Sequence, residues 1–433
     1  MDKNIVVREG GLSVWFQVRE DGIVELSGFS PVEMNVSPKA REDVEIVSPL
    51  VEVQITGKST RGMHAYKHNS SSASLDFHYR EHKLEKWEKG KELQIFLDTE
   101  YGLEAVYHMK FFDGVAVVQA WTQLNNKGRE EIGLEYVSSF IYQNLCGDGK
   151  LPYEEKTDIY TPLNGWSCEA QWKKEDIRDL NLPGMTVNGF NEPGFGNNRY
   201  CYGGRSSWSS CEYLPMGFAH DRETGETYCF QIEHSGQWHA EYGTEPGELY
   251  LALSGPTEAE NGWWKNLKPG ESFTTVPAAF GVVQGDVSVA AAALTAYRRK
   301  IRRPNADDEK LNVVFNDYMN CLMGDPTDEK ERMIIDKAAQ MGCEYYCLDC
   351  GWYDKGYWWD RVGEWVECPE RFPNGLKAIC EYAKKKNMVM GLWLEIEVMG
   401  VACELAAKLP DDWFICRHGK RHIDNKRYLL DFR

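Results

Sequence analysis

The sequence lacks the features of exported and membrane-bound proteins. Its 433 residues contain no run of about 18 apolar residues, the length that a membrane-spanning helix needs. Its first five residues show no apolar core of a signal peptide. The 13 cysteines are odd in number and scattered, which is typical of reduced thiols rather than of a disulfide framework. We therefore expect a cytoplasmic protein without a membrane partner.

Positive charge is scarce as well. The chain carries 49 lysines and arginines against 67 aspartates and glutamates, a formal net charge of -18. Nucleic acids and anionic lipids repel so acidic a protein, so we expect neither as a partner. A hydrophobic fraction of 42% is ample for a folded core, and the length indicates two or three domains.

Metal-ligating residues follow no familiar spacing. Three cysteines lie close together around one predicted strand: Cys343, Cys347 and Cys350. In a strand, residues three positions apart point to opposite faces, so these thiols do not converge. Two histidine pairs have helical spacing in surroundings that do not look helical: His64 with His68, and His78 with His82. We predict no metal site and interpret the thiols as buried and the imidazoles as exposed.

Short apolar segments with alternating polarity follow one another from the amino terminus to about residue 285. They lie at residues 12–18, 51–55, 93–97, 103–109 and 115–124, without helical segments between them. Strands so numerous do not form one flat sheet. We therefore predict a large antiparallel β-sandwich domain over residues 1–285.

One stretch of this domain, residues 160–212, is rich in turn formers and weak in periodicity. It carries three tryptophans: Trp166, Trp172 and Trp208. These rings are consistent either with a cover over a neighbouring site or with packed decoration, and the sequence does not decide between the two.

The pattern changes at Asp286, which can cap an alanine-rich helix that ends in basic residues. We interpret residues 286–309 as a linker helix. From residue 310 to 433, strands at 312–315, 345–348 and 388–394 alternate with helices. We predict that the first helix, 326–341, is capped by Asp325 and buries a stripe of Ile334, Ala338 and Met341. This order predicts parallel strands, the first three of a barrel.

Polar residues follow these strands at their carboxyl ends, where barrel enzymes hold their sites. Asp349 follows the second strand, and Glu395 and Glu397 follow the third. The loop after the second strand contains several tryptophans, Trp358, Trp359 and Trp365. Aromatic rings cover the C–H faces of sugars while carboxylates accept protons from their hydroxyls, although tryptophan clusters also occur as plain core.

Several stretches resemble glycoside hydrolase family 36, the melibiase-type α-galactosidases. Residues 348–353 (Leu-Asp-Cys-Gly-Trp-Tyr) resemble the family's Asp-Asp-Gly-Trp-Phe, and residues 391–399 (Gly-Leu-Trp-Leu-Glu-Ile-Glu-Val-Met) resemble its Gly-Leu-Trp-Phe-Glu-Pro-Glu-Met. The other similar stretches are 204–207, 235–238, 267–273, 363–365 and 372–376. The resemblance implies a β-supersandwich followed by a (β/α)8 TIM barrel, of which residues 310–433 form the first part.

The resemblance also implies the reaction. The family cleaves terminal α-D-galactosides of oligosaccharides or glycoconjugates with retention, without a cofactor, by a carboxylate nucleophile and a second carboxyl acting as acid and base. The motifs that carry these two groups have no counterpart here. Residues 428–431 resemble the segment that precedes the nucleophile strand, so we expect both groups beyond Arg433 and do not assign Asp431 as the nucleophile.

The residues implied to bind substrate are Asp349, Cys350, Trp352, Tyr318, Trp365 and Arg427. Cys350 stands where the family has a second aspartate, and Tyr318 where it often has tryptophan. Asn425 stands where the family has an arginine, and Arg427 is a candidate replacement. We expect a homo-oligomer for the full-length protein. The alternatives are a glycosidase or transglycosylase for another sugar, such as an α-N-acetylgalactosaminide, and a non-catalytic sugar-binding fragment.

Overall fold

The computed structural model describes residues 3–31, 47–59, 67–69, 71–182, 199–206, 208–245 and 248–432. The chain divides into two compact units, Met1–Arg302 and Arg303–Arg433. His64 and the turn-forming positions between 183 and 198 lie outside the described residues.

The first unit consists mainly of strands. They are β1 (Lys3–Glu9), β2 (Leu12–Val18), β3 (Val24–Ser30), β4 (Val53–Ile55), β5 (His78–Trp87), β6 (Gly90–Asp98), β7 (Leu103–Phe112), β8 (Val115–Asn126), β9 (Ile132–Val137), β10 (Phe140–Gln143), β11 (Thr157–Leu163), β12 (Gln171–Asp176), β13 (Arg199–Gly204), β14 (Met216–Asp221), β15 (Glu226–Ile232), β16 (Trp238–Glu245), β17 (Glu248–Ser254), β18 (Lys265–Leu267), β19 (Ser272–Thr274) and β20 (Ala278–Gln284). The helices are α1 (Tyr153–Lys156), α2 (Glu258–Asn261), α3 (Val287–Ile301) and short 3-10 turns at Ser72–Asp76 and Ile177–Leu180.

These strands form antiparallel sheets. The largest has the order β12-β11-β14-β15-β20-β8-β7-β6-β5, with β19 also paired to β8. The others are β10-β17-β16-β13, β1-β2-β3 and β18-β9-β4. Side-chain burial alternates along strand β8, as expected for a sheet with one face on the core. The strand buries every second side chain from Ala120 to Leu124 and leaves Trp121 and Gln123 half-buried.

One apolar core joins three of the sheets. The ring of Phe280 on β20 lies 4.4 Å from that of Phe140 on β10 and 4.9 Å from that of Phe29 on β3, between centroids. The predicted strands at 12–18, 93–97, 103–109 and 115–124 all lie within observed strands, which confirms the β-rich amino-terminal part of the prediction.

The turn-rich stretch contains β11, β12 and β13. Trp172 on β12 packs on the unit's own sheet, with its ring 5.0 Å from that of Phe218. Trp166 and Trp208 are exposed, by 72% and 58%.

Helix α3 packs on the large sheet. Asp286 caps it by accepting from the backbone N–H groups of Ser288 and Val289, as predicted. Its buried face is Ala290, Leu294 and Tyr297, and the ring of Tyr297 lies 5.1 Å from that of Phe112. The helix thus belongs to the first unit. We predicted a linker over residues 286–309 from their composition, which does not reveal this packing.

The second unit alternates strands and helices. Its strands are β21 (Val314–Asn316), β22 (Tyr345–Leu348), β23 (Val389–Leu392), β24 (Val398–Gly400), β25 (Cys416–Arg417), β26 (Lys420–Arg421), β27 (Ile423–Asp424) and β28 (Arg427–Leu429). Its helices are α4 (Ala306–Lys310), α5 (Asp328–Gln340), α6 (Trp358–Arg361) and α7 (Gly375–Lys385), with single turns at Tyr318–Leu322, Glu404–Ala407 and Asp411–Trp413. Among the helices of the described residues, none is both long and apolar enough to cross a bilayer.

Strands β21, β22 and β23 pair in parallel, in that order, as predicted. Helices α5 and α7 connect them and cover the central strand, where Tyr346 and Leu348 are fully buried. The outer strands are open, with Val314 exposed by 59% and Val389 by 54%. The carboxyl ends of all three strands meet at one edge, and Asp349 follows the central one.

Helix α5 departs from the prediction at its start and on its buried face. Thr327, not Asp325, is the cap, because its extended backbone lets the side chain accept from the N–H of Lys330. Asp325 instead pairs with the side chains of Lys330 and Arg371, at 2.5 Å and 2.7 Å. The buried face is Glu331, Ile335 and Ala338, while Met341 is 67% exposed.

A small antiparallel sheet follows the parallel one. It has the order β24-β28-β27, and β24 pairs with β28 in the register Met399 opposite Tyr428. The sequence analysis did not predict this sheet. It positions Arg427, because that residue begins β28 opposite Gly400.

Candidate functional site

Asp349 is fixed at the end of β22 by two hydrogen bonds. Its Oδ2 accepts from the side-chain amide of Asn316 at 2.8 Å, and its Oδ1 accepts from the backbone N–H of Cys350 at 2.7 Å. Gly351 then turns the chain with φ +96°, where a Cβ would lie 2.2 Å from the carbonyl oxygen of Gly324. The carboxylate is half-buried and keeps acceptor capacity on both oxygens.

Behind Asp349 lies a pair of buried acids that sequence reasoning missed. The Oδ1 of Asp317 accepts from the backbone N–H of Asp349 at 2.8 Å, and Asp317 is 2% exposed. Glu331 on α5 is 0% exposed, and its Oε2 accepts from the hydroxyl of Tyr346 at 2.5 Å. Burial raises the pKa of both carboxyls. The signal available in the sequence was a glutamate four residues before the buried Ile335, on the same helix face.

Aromatic rings form a continuous array beside these groups. The ring of Tyr318 lies 5.6 Å from that of Trp358, which lies 5.8 Å from Trp393. Trp393 lies 6.0 Å from Trp365, and Trp365 lies 5.8 Å from Trp352. Tyr318, Trp365 and Trp393 are half-buried, so part of each ring is accessible. Trp352 is 3% exposed and donates its indole N–H to the carbonyl of Trp393 at 3.2 Å, so it supports the array from behind.

Arg427 joins this array from the small sheet. Its guanidinium stacks 3.7 Å over the ring of Trp359, and its Nη1 donates to Glu395 Oε2 at 2.6 Å. Trp359 in turn lies 5.2 Å from Trp358. Burial raises the pKa of Glu395, and the charge of Arg427 opposes this rise. Glu395 was noticed at the end of its strand but was not among the predicted site residues.

Cys350 lies in the core of the unit, 2% exposed. Burial and the adjacent Asp349, with which the thiol is in hydrogen-bond contact, raise the pKa of Cys350, so the thiol is neutral. At this position the thiol is covered by neighbouring side chains, and its nearest named polar partner is Asp349. The assignment of Asp349, Cys350, Trp352, Tyr318, Trp365 and Arg427 to a sugar site stays a prediction.

Buried histidines in the first unit correct a second prediction. His68 was expected to be exposed, but it is 1% exposed and its Nδ1 lies 2.8 Å from Glu241 Oε2. The reason is that Glu241 is a fully buried carboxylate and needs donors. His78 is exposed, as predicted.

His68, His239 and Glu241 have ligand atoms within 4.8 Å of one another, a spacing that could hold a metal ion. The donors around Glu241 give another explanation. Its Oε2 already accepts from Arg199 at 3.0 Å, and its Oε1 accepts from Tyr250 at 2.6 Å. Although burial acts to raise it, the two neighbouring histidines hold the pKa of Glu241 well below its usual value. We interpret the cluster as a buried carboxylate neutralised by Arg199, and the predicted absence of a metal site stays a prediction.

Comparison with known proteins adds family evidence to this geometry. Residues 272–433 match the Melibiase family model. The chain is 26% identical over 304 residues to α-galactosidase Mel36A of Lactobacillus acidophilus, a match that covers 68% of this chain and 37% of that protein. It is 28% identical over 216 residues to α-galactosidase AgaA of Geobacillus stearothermophilus, covering 49% of this chain and 29% of that protein. The chain is thus similar to family 36 α-galactosidases, and residues 272–433 carry the match to the family model.

Solved structures support the same fold. The crystal structure of the family 36 α-galactosidase AgaA superposes with a TM-score of 0.81 at 19% identity, covering 99% of this chain and 61% of that one. AgaA variants have been solved in complex with raffinose and with stachyose. The chain spans less than two thirds of the length of these family 36 proteins. These likenesses confirm the predicted fold, a β domain followed by a partial barrel, and the sequence matches confirm the predicted family resemblance.

Proposed function

We propose that this chain provides the galactose-binding part of a retaining glycoside hydrolase that acts on terminal α-D-galactosides of oligosaccharides or glycoconjugates. The observation that carries the proposal is the half-buried carboxylate of Asp349, fixed by Asn316 at a strand end beside half-buried aromatic rings. A fixed carboxylate accepts charge-assisted hydrogen bonds from adjacent sugar hydroxyls, and a ring face covers the C–H side of the same sugar.

Arg427 supplies the donor in this proposal. Its Nη1 is engaged by Glu395, whereas its Nε is buried and meets no acceptor among the residues that the structure describes. A guanidinium only donates hydrogen bonds, and a sugar hydroxyl oxygen accepts them. The raffinose and stachyose complexes of AgaA support an oligosaccharide with a terminal α-galactosyl group as the substrate.

We assign no residue of 1–433 as nucleophile or general acid/base. In retaining enzymes these two carboxyls lie about 5–5.5 Å apart and flank the scissile bond. The carboxylates at the strand ends have other partners, Asn316 for Asp349 and Arg427 for Glu395. We therefore propose that they bind and orient the sugar.

Binding of raffinose tests the sugar site. Sucrose is the matched control ligand, because it is raffinose without the α-galactosyl group. Tryptophan fluorescence or calorimetry should detect raffinose but not sucrose, and Asp349→Asn should weaken raffinose binding about 10- to 100-fold, the value of a hydrogen bond to a charged group. Asp412→Asn, an exposed carboxylate of the same unit, is the control variant and should bind as the unaltered chain does. Equal affinity for raffinose and sucrose contradicts the galactose site.

Turnover of a chromogenic α-galactoside tests the assignment of roles. The purified 433-residue chain should bind the substrate without turning it over. Saturable turnover that disappears in an Asp349 or Asp431 variant shows that a catalytic carboxylate is present and contradicts the assignment. If the chain binds an α-N-acetylgalactosaminide more tightly than the α-galactoside, the substrate is an α-N-acetylgalactosaminide and not the proposed α-galactoside.

A further inference from the structure

Three buried side chains form a polar path behind the sugar site. Tyr346 on β22 is fully buried and donates its hydroxyl proton to Glu331 Oε2 at 2.5 Å. Glu331 on α5 interacts electrostatically with the carboxyl of Asp317, the residue that follows β21. Asp317 Oδ1 accepts from the backbone N–H of Asp349 at 2.8 Å. The path therefore links a helix, two strands and the residue that follows the central strand.

Hydrogen-bond accounting requires a proton between the two acids. Ionised carboxylates only accept, so two of them in contact cannot bond to each other. Glu331 Oε2 has a donor in Tyr346, whereas Glu331 Oε1 is buried and meets no donor among the described residues. Asp317 must stay an acceptor for Asp349 N–H. The proton therefore belongs on Glu331, whose buried Oε1 has no donor to accept from among the described residues.

We propose that Glu331 and Asp317 share one proton at neutral pH and that this pair is the positioning element of the site, holding the backbone of Asp349 in place through Asp317. Neither residue touches the sugar. Glu331 acts on Asp317, and Asp317 acts on Asp349. The proton pair itself does not depend on the proposed sugar site, but its consequence for sugar binding rests on that proposal.

The surroundings favour the protonated pair. The titratable groups that interact electrostatically with the pair are Lys330, Tyr346, Cys321, Cys347, Asp349 and Cys350. Lys330 is the one cation among these six groups, and Asp349 adds negative charge. Loss of the proton to hydroxide leaves two buried carboxylates in contact, which repel each other. The backbone N–H of Asp349 then loses a fixed acceptor, so rising pH loosens the strand end.

Carboxyl-selective NMR tests the pair directly. The chain is prepared with 13C-labelled glutamate carboxyls and titrated, as wild type and as Glu331→Gln. We expect one resonance that is still protonated at neutral pH and that is missing from Glu331→Gln. It should remain in Glu329→Gln, the matched control, since Glu329 is an exposed glutamate of the same helix. Asp317→Asn should lower its titration midpoint by about 1–3 pH units, because the neighbouring negative charge is removed.

Two functional readouts separate this inference from the proposed function. Glutamine mimics the protonated glutamate, so Glu331→Gln should keep the Asp349 amide protected from hydrogen exchange at high pH, where the wild type loses protection. Raffinose binding should follow the same pattern. If the Glu331 resonance is still protonated at neutral pH but neither the wild type nor any variant binds raffinose, the shared proton is supported and the proposed sugar site is wrong.

The opposite outcomes overturn the inference. A Glu331 carboxyl that titrates in the ordinary range, with raffinose bound or not, contradicts the shared proton. If Glu331→Gln does not fold, the resonance is identified by its shift in Asp317→Asn, and the absence of any glutamate that responds to Asp317→Asn contradicts the pair. An Asp349 amide with the same pH dependence in wild type and Glu331→Gln contradicts the positioning role.

Discussion

Replacing Arg427 by methionine should destabilise the second unit more than most surface changes. The side chains of Arg427 and Glu395 are 10% and 16% exposed and meet at 2.6 Å. The guanidinium also stacks 3.7 Å over Trp359. Methionine keeps much of the apolar stem of arginine but removes its charge. The carboxylate of Glu395 then stays buried without a positively charged partner.

The expected magnitude follows from these contacts. Removing one partner of a buried ion pair costs about 3–5 kcal/mol. Stacking of a desolvated guanidinium on tryptophan contributes up to about 2 kcal/mol. Part of the first cost is avoided, because the already raised pKa of Glu395 rises further without Arg427 and the carboxyl takes up a proton. We therefore expect a loss of about 3–4 kcal/mol for Arg427→Met.

A double-mutant cycle measures this coupling. Urea unfolding of Arg427→Met, Glu395→Gln and the double variant is followed by tryptophan fluorescence, and the double variant should be less destabilised than the sum of the single ones by about 2–3 kcal/mol. Arg427→Lys keeps the charge without the planar stacking and should fall between wild type and Arg427→Met.

The unfolding free energy of Arg427→Met should also depend on pH. The pKa of Glu395 in Arg427→Met lies above the ordinary 4.5, so that variant loses stability as pH rises from 4.5 through the folded-state pKa. If the losses of unfolding free energy of the two single variants simply add in the double variant, the predicted coupling is wrong. The predicted pH dependence is wrong if the stability loss of Arg427→Met shrinks as pH rises.

Three further predictions concern the same unit. Thr327→Ala should cost about 1 kcal/mol of unfolding free energy because it removes the cap of α5, whereas Asp325→Ser should leave the helix content by circular dichroism unchanged; equal losses of helix content contradict the observed cap. Cys350→Asp should destabilise the unit by about 2–5 kcal/mol in thermal unfolding, because it buries a second carboxylate at a 2% exposed position beside Asp349, and an unchanged melting temperature shows that the position is accessible. Backbone amides of β21 and β23 should exchange with solvent faster than those of β6 to β8, because the outer strands are exposed, and equal protection contradicts this.

The sequence predicted the elements whose signal is local. Alternation over 12–18 and 115–124 predicts strands because side chains in a strand alternate between faces, and the structure has strands there. The strand and helix order after residue 310 predicts parallel pairing because successive parallel strands require a crossover. Asp286 was predicted as a cap from its type and place alone.

The wrong or missing predictions concern features that depend on backbone conformation and on contacts between residues distant in sequence, which no short sequence pattern contains. Asp325 and Thr327 are both good capping residues, and only the extended backbone of Thr327 decides between them. The buried face of α5 is rotated so that Glu331 enters the core, where the hydroxyl of Tyr346 donates to it. The position of Arg427 depends on the pairing of β24 with β28. The sugar contacts of the six predicted residues, the cytoplasmic location and the homo-oligomer stay predictions.

A crystal structure of the chain with bound raffinose tests the central claim most directly. We expect the terminal galactosyl group to lie at the end of β22, with hydroxyl oxygens about 2.5–3.0 Å from the carboxylate of Asp349, as for O–H···O hydrogen bonds. A face of the sugar should lie on one of the half-buried rings, Trp365, Trp393 or Tyr318. Raffinose bound on the exposed Trp166 or Trp208 of the first unit, with the end of β22 empty, would contradict it.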